Sequence, residues 1–177
     1  MNNFSMEITS ANNHHLIETA FLLRQCVSEL ESRQILQWDT ETYGISHINN
    51  DINHHYVYLA RINNITVGTI TVNEEQYPEY GQIRWSVKSG KVLVIQNLVI
   101  FPAWQKKGIG KKLLNFIEEE AIKKGYHSIR LHIHEKNGSA INFFKSREYA
   151  ISGEFISELN QNRYFCFEKC FAEELVS

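Results

Sequence analysis

Proline is nearly absent: Pro78 and Pro102 are the only two in 177 residues, and no proline-rich or glycine-rich linker divides the chain. Cysteine is also scarce. Cys26, Cys166 and Cys170 make an odd count without framework spacing, which excludes a disulfide-stapled scaffold and points to a reducing compartment. Cys166 and Cys170 fall on one face of a predicted strand, with no Cys or His spacing nearby that suits zinc. Neither sign of charge is in surplus. The net charge of −2 gives no reason to expect nucleic acid or an acidic membrane as partner. No apolar run approaches the roughly 20 residues that span a bilayer. No basic stretch followed by an apolar run opens the chain, so a soluble cytoplasmic protein without a signal peptide is expected. Internal repeats and low-complexity tracts are missing too.

What is present suits one domain over residues 1–177, since a 43% hydrophobic content fills a sizeable core. Met6 to Thr9 reads as a short strand. Leu16, Ala20, Leu23, Val27 and Leu30 then recur at helical spacing, with Asn12 or Asn13 as candidate cap. Ile35 to Asn53 is mixed and reads as short helices or loop. Tyr56–Ile62 and Ile65–Asn73 are rich in β-branched and aromatic residues, and Asn63-Asn64 between them suits a tight hairpin. A polar excursion with Pro78 and Gly81 follows. Lys91 to Phe101 is almost continuously apolar, as in a central strand covered on both faces.

Gly110 to Lys124 reads as a helix with Leu113 or Leu114, Ile117 and Ala121 on its apolar stripe and Gly125 beyond its end. From Ser128 to His134, Ile129, Leu131 and Ile133 alternate with Arg130, His132 and His134. A short helix from Ser139 to Lys145 and strands near Tyr149–Phe155 and Arg163–Phe171 complete the order. The order predicts an α/β (α+β) fold, a mixed sheet with helices on both faces rather than a doubly wound parallel one.

The strongest chemical signal is the turn Gln105-Lys106-Lys107-Gly108-Ile109-Gly110 at the start of that helix. The first helical N–H groups have no intrahelical partner, and the dipole places partial positive charge there. Glycines let a diphosphate approach this backbone, and Lys106, Lys107, Lys111 and Lys112 add positive charge at the rim. An ordinary glycine-bearing helix start is the bland alternative. A Walker A loop is excluded because Lys111-Lys112 follows Gly110 with no hydroxyl for magnesium. A dinucleotide fingerprint lacks its third glycine, since Leu113 stands there.

The wider run from Ile95 to Leu114, IQNLVIFPAWQKKGIGKKLL, resembles the cofactor motif of the GNAT superfamily of N-acetyltransferases: an apolar strand, a proline, then Gln/Arg-x-x-Gly-x-Gly/Ala opening a helix. Arg130-Leu131 and Asn137-Gly138-Ser139-Ala140-Ile141-Asn142-Phe143-Phe144 resemble the family's second motif, and Gly153 falls where many members place a glycine. The resemblance covers most of the chain. It implies a mostly antiparallel sheet of six to seven strands. More loosely, Gln37-Trp38-Asp39, Asn73-Glu74-Glu75, Tyr80 and Trp85 resemble a bacterial subgroup acting on small molecules.

By that resemblance acetyl-CoA is the co-substrate, with no metal. Leu98, Val99 and Ile100 offer backbone groups to the pantetheine arm, and Gln105, Lys106, Lys107, Gly108, Ile109, Gly110 and Lys111 hold the pyrophosphate. Asn137 bonds the cofactor's arm, and Ala140, Phe143 and Phe144 pack beside its sulfur end, against a reading in which one of the two phenylalanines is plain core. A backbone N–H near Leu98 or Val99 stabilises the oxyanion. Glu74, Glu75 and Glu79 are candidates for relaying the amine proton through water, against a plain reading as solvated carboxylates. Trp38, Tyr43, Tyr80 and Trp85 line the acceptor pocket, against a reading as core that is strongest for Trp85.

Two positions depart from the family's pattern. Phe144 stands where a tyrosine often protonates the leaving thiolate, and His132 stands where an acid often follows Arg-Leu. His132 and His134 point the same way on a strand, but no third ligand is evident for a metal. The expected partner is a small-molecule or peptide amine, taken by a monomer or homodimer. The rival reading, kept open by Phe144, is a non-catalytic acyl-CoA-binding sensor or interaction module.

Overall fold

The computed structural model describes residues 5–38 and 44–171. The elements run β1 Met6–Ser10, α1 Leu16–Ser32, α2 Ile45–Asn53, β2 Val57–Ile62, β3 Ile65–Asn73, β4 Val92–Ile100 and α3 Ile109–Lys123. They continue with β5 Ser128–His134, α4 Gly138–Lys145, β6 Ala150–Ile156 and β7 Arg163–Cys170. The strands form one seven-stranded sheet in the order β1-β2-β3-β4-β5-β7-β6. The pairings β1–β2, β2–β3, β5–β7 and β6–β7 are antiparallel. β4 and β5 pair in parallel, from Val92 opposite Ser128 to Val94 opposite Arg130. The mixed, mostly antiparallel sheet is the one expected.

Asn63 and Asn64 turn the β2–β3 hairpin with φ of 50° and 64°, the left-handed pair that a two-residue turn demands. α3 starts one residue earlier than expected and buries Leu113, Leu114, Ile117 and Ala121. The buried line of α1 is Thr19, Leu22, Leu23, Cys26 and Val27. Leu16 and Ala20 only flank it, so the periodicity found the helix but placed its inner face a fraction of a turn away.

Contacts cluster into two compact units. Residues up to Val72 together with Gln96–Ile117 make the first, and Asn73–Ile95 with residues from Glu118 onward make the second. In the first, α1 and α2 pack Leu22, Leu23, Cys26, Ile48 and Ile52 against Val57, Leu59 and Val99. Each such side chain contributes about 1.5–3 kcal/mol by leaving water. The second unit has an aromatic core of Tyr80, Val94, Phe155, Tyr164 and Cys166, flanked by Tyr77, Ile83 and Trp85.

Candidate functional site

In the first unit β4 ends at Ile100, and Pro102 opens a 3-10 turn, Pro102–Trp104. Lys106 and Gly108 then both take left-handed φ, 58° and 80°. Lys112 N donates to Gly108 O at 3.1 Å, the first bond of the α3 ladder. The N–H groups of Ile109, Gly110 and Lys111 therefore precede the ladder. A Cβ built on Gly108 meets nothing within 4 Å, so this glycine serves the backbone conformation and the open approach rather than packing. Lys106, Lys107, Lys111 and Lys112 are exposed, and Lys107 Nζ lies 5.1 Å from the Trp104 ring centre. Exposed cations around unladdered amides make a cradle of the kind that suits an anion.

This cradle is braced from behind. Gln105 Nε2 donates to Ile100 O at 3.2 Å and to Glu29 Oε2 at 3.1 Å. Cys26 Sγ donates to the same Ile100 carbonyl at 3.3 Å. The Cys26 thiol is pushed up to about 12 by burial and by the Glu29 carboxylate, so it stays a neutral donor. The Gln105 side chain thus ties α1 to the end of β4, and what the turn offers a ligand is backbone and lysine. Gly68 in β3 makes room for that strand end. A Cβ there would lie 2.6 Å from Ile100 Cδ1, 3.2 Å from Val99 O and 3.4 Å from Ile109 Cγ2. Sequence reading missed Cys26, Glu29 and Gly68 as part of this site. A lone glycine within a strand pattern was the available signal for Gly68.

In the second unit Asn137 is buried and its Oδ1 accepts the Ala140 N–H at 3.3 Å, capping α4. Phe144 is buried edge-on between Phe143, at 5.1 Å between ring centres, and Tyr149, at 5.2 Å. Phe143 and Ala140 are half-buried.

The expected proton relay and two of the four expected acceptor-wall residues, Tyr80 and Trp85, fall on the segment between β3 and β4. Glu74 accepts the Tyr126 hydroxyl at 2.6 Å and lies 3.5 Å from Lys91 Nζ. Glu75 is exposed, and its N–H donates to Asn73 Oδ1 at 3.0 Å. Tyr80 is buried. Its carbonyl accepts Trp85 Nε1 at 2.9 Å, and its hydroxyl shares a 3.1 Å hydrogen bond with His132 Nδ1. Tyr77, Phe155 and Tyr164 set their rings edgewise to His132 at 4.5, 5.4 and 5.3 Å. Burial among them pushes His132 down to about 4, so it is neutral at neutral pH, and burial holds the Tyr80 hydroxyl well above its usual range. His134 is lowered by the same cause, partly opposed by a hydrogen bond with Asn162. Trp38 is half-buried against the core of the first unit, and Tyr43 lies outside the described residues.

Beside this aromatic box Arg130 and Glu168 form a buried ion pair, Nε to Oε1 at 2.9 Å, which the sequence did not announce. Among the described residues no group of three or more His, Cys, Asp or Glu is placed to hold a metal ion. None of their helices is long and apolar enough to cross a membrane.

The family model described as "Acetyltransferase (GNAT) family" matches residues 21–149. Three solved structures illustrate the fold's relatives. A GNAT family acetyltransferase from Streptococcus agalactiae is similar at TM-score 0.82 and 17% identity, over 97% of this chain and 100% of that one. The PaiA N-acetyltransferase from Thermoplasma acidophilum, in complex with coenzyme A, gives 0.74 and 18%, over 94% and 99%. Naa50 from Arabidopsis thaliana, in complex with the bisubstrate analogue CoA-Ac-MVNAL, gives 0.68 and 20%, over 94% and 99%.

Proposed function

The chain belongs to the GNAT acetyltransferase family, and from that premise we propose that it moves an acetyl group from acetyl-CoA to the amine of a small molecule or peptide. The observation that carries the reading is the cradle at the start of α3: left-handed Lys106 and Gly108, amides ahead of the helical ladder, and an open approach rimmed by lysines. A pyrophosphate is the part of acetyl-CoA that such a cradle fits. Two of the similar structures are complexes with coenzyme A or a CoA-containing analogue. The family model runs through both units, which supports one acyltransferase domain over residues 1–177.

In this reading Gln105–Lys111 hold the diphosphate, and Leu98, Val99 and Ile100 present backbone to the pantetheine arm. The Ile100 carbonyl already accepts from Cys26 and Gln105, so the burden on β4 falls on Leu98 and Val99. Asn137 spends its oxygen on the α4 cap and has its NH2 to give to the arm. Ala140 and Phe143 flank the sulfur end, with Phe144 behind them as core. Acetyl-CoA, when bound, supplies an electrophilic thioester carbonyl. The chain's own task is to align the amine with that carbonyl, for which proximity is a large contribution. It also places a Leu98 or Val99 N–H where negative charge develops. Glu74, Glu75 or Glu79 removes the amine proton through water. Phe144 has no proton to give, and a thiol with pKa of roughly 8.5 leaves as thiolate without one.

The second reading, a non-catalytic acyl-CoA sensor, is favoured by one observation: Phe144 is buried between two rings, with no hydroxyl at that position. Free-thiol release from acetyl-CoA across a broad amine panel separates the two. The enzyme reading predicts saturable release with at least one amine. Tight CoA binding without release for any amine contradicts it.

A further inference from the structure

The segment from Glu74 to Lys91 joins β3 to β4 with one regular element of its own, the 3-10 turn Pro78–Gln82. A connection of this length in a compact fold is either functional or loosely held. Here it is bolted down by one face of β5, the alternating residues Ser128, Arg130 and His132, together with Glu168 of β7, which stands opposite Arg130 in the ladder. Glu168 accepts four hydrogen bonds: Ser86 N at 2.6 Å, Val87 N at 3.4 Å, Ser128 Oγ at 3.0 Å and Arg130 Nε at 2.9 Å. The Arg130 guanidinium lies 4.3 Å from the Trp85 ring centre and donates to the Val87 carbonyl and, at 3.2 Å, to Gln76 Oε1. One guanidinium therefore ties both ends of the stretch Gln76–Val87. At its crest the Tyr80 carbonyl takes the Trp85 indole N–H while its hydroxyl meets His132.

An ion pair this buried is a weak device for stability, because apolar residues of equal volume generally serve as well. It does select one arrangement of the backbone, since each donor has its acceptor in only one pose. We propose that Arg130 and Glu168 are positioning residues for the acceptor amine: they hold Gln76–Val87 so that Tyr77 and Trp85, backed by the buried Tyr80, present one fixed wall to it. This rests on reading the segment as the acceptor side of an acetyltransferase. The planar fork is needed to reach Gln76, Val87 and Glu168 while stacking on Trp85, which a lysine ammonium does not do.

The test compares wild type with Glu168→Gln, Arg130→Lys and Gln76→Ala in the full chain, using the best amine from the panel. Glu168→Gln keeps shape but turns an N–H toward existing donors. It is expected to raise the acceptor KM about tenfold or more, with a much smaller change in kcat, because it loosens ground-state positioning. The CoA-induced melting shift should stay, and hydrogen exchange in the peptide 76–87 should quicken while that of β3 does not. Arg130→Lys should behave alike, and Gln76→Ala, which leaves the ion pair whole, should raise KM on the order of threefold. If Glu168→Gln does not fold, Gln76→Ala decides by the same readouts. Faster exchange with an unchanged acceptor KM overturns the proposal, because the clamp then holds a segment that does not meet the acceptor. So does a parallel fall in kcat, acceptor affinity and CoA shift, which marks a purely structural pair. A wild-type protein that binds CoA but releases no thiol with any amine overturns the acetyltransferase reading itself. That failure is told apart because it appears before any substitution is made.

Discussion

The α3 turn and the Glu74–Lys91 segment solve opposite problems by opposite means. The turn is built from backbone: two left-handed residues, amides ahead of a helix and a glycine with open space where a Cβ would stand. It is braced by Gln105 on Ile100 and Glu29 and by Cys26 on Ile100. The segment is held by side chains: its own tryptophan and two tyrosines, and an arginine, a histidine and a glutamate brought to it by β5 and β7. A backbone cradle suits a ligand group common to all members of a family. A side-chain clamp suits a surface that must differ from one member to another, because each of its contacts can be changed by a single substitution.

Breaking the clamp at its charge should have the largest effect. Arg130→Met leaves the Glu168 carboxylate buried without its cation and is expected to cost about 3–5 kcal/mol in urea unfolding. Replacing both partners with apolar residues of similar volume should cost markedly less than that single change, which would show the pair to be a device of arrangement. In the other region Gly68→Ala is expected to cost about 1–3 kcal/mol by overpacking. The new methyl group meets Ile100 Cδ1, which can move, and the Val99 carbonyl, which moves less. CoA affinity should fall along with stability, because Ile100 and Ile109 flank the turn. A Gly68→Ala protein with wild-type stability would mean that the strand end is not packed as tightly as described.

The smallest expected effect is on pH dependence. His132 sits near 4 when folded, below the 6.5 of an unperturbed histidine, because burial disfavours its cation. The unfolded chain therefore takes up this proton more readily. The stability contribution is complete above about pH 6.5 and is lost as pH falls toward about 4. His132→Phe should lower stability at neutral pH through the lost Tyr80 hydrogen bond, yet shrink the difference between urea midpoints at about pH 7 and about pH 5. An unchanged difference would transfer the acid sensitivity to another group.

The two regions also differed in how much their sequence disclosed. Gly108 and Gly110 follow a proline-stopped apolar strand within a few residues, so strand, turn and helix could be read locally and the family resemblance rested on adjacent positions. The alternation in β5 was equally plain, but its meaning was not. It put Arg130 and His132 on one face without showing that the Glu74–Lys91 segment comes to lie over them. Periodicity reports which residues share a face, and not what comes to lie on it. Glu168, one carboxylate among twenty acidic residues, carries no local mark of its partners in Ser86 and Arg130. Phe144 shows the same limit on a smaller scale: one of the two adjacent phenylalanines was expected in the core, and packing on Tyr149 shows which.

The most direct test of the central claim is the melting temperature of wild type and of Gly108→Glu, each with and without saturating CoA. Wild type should be stabilised by about 2.7 kcal/mol at ligand a hundredfold above Kd, because CoA binds the folded state alone. Gly108→Glu should remain folded, at a cost of about 1–3 kcal/mol for a side chain at left-handed φ, and should lose the CoA shift to a carboxylate set against the pyrophosphate. A folded Gly108→Glu protein that keeps the full shift would contradict the account.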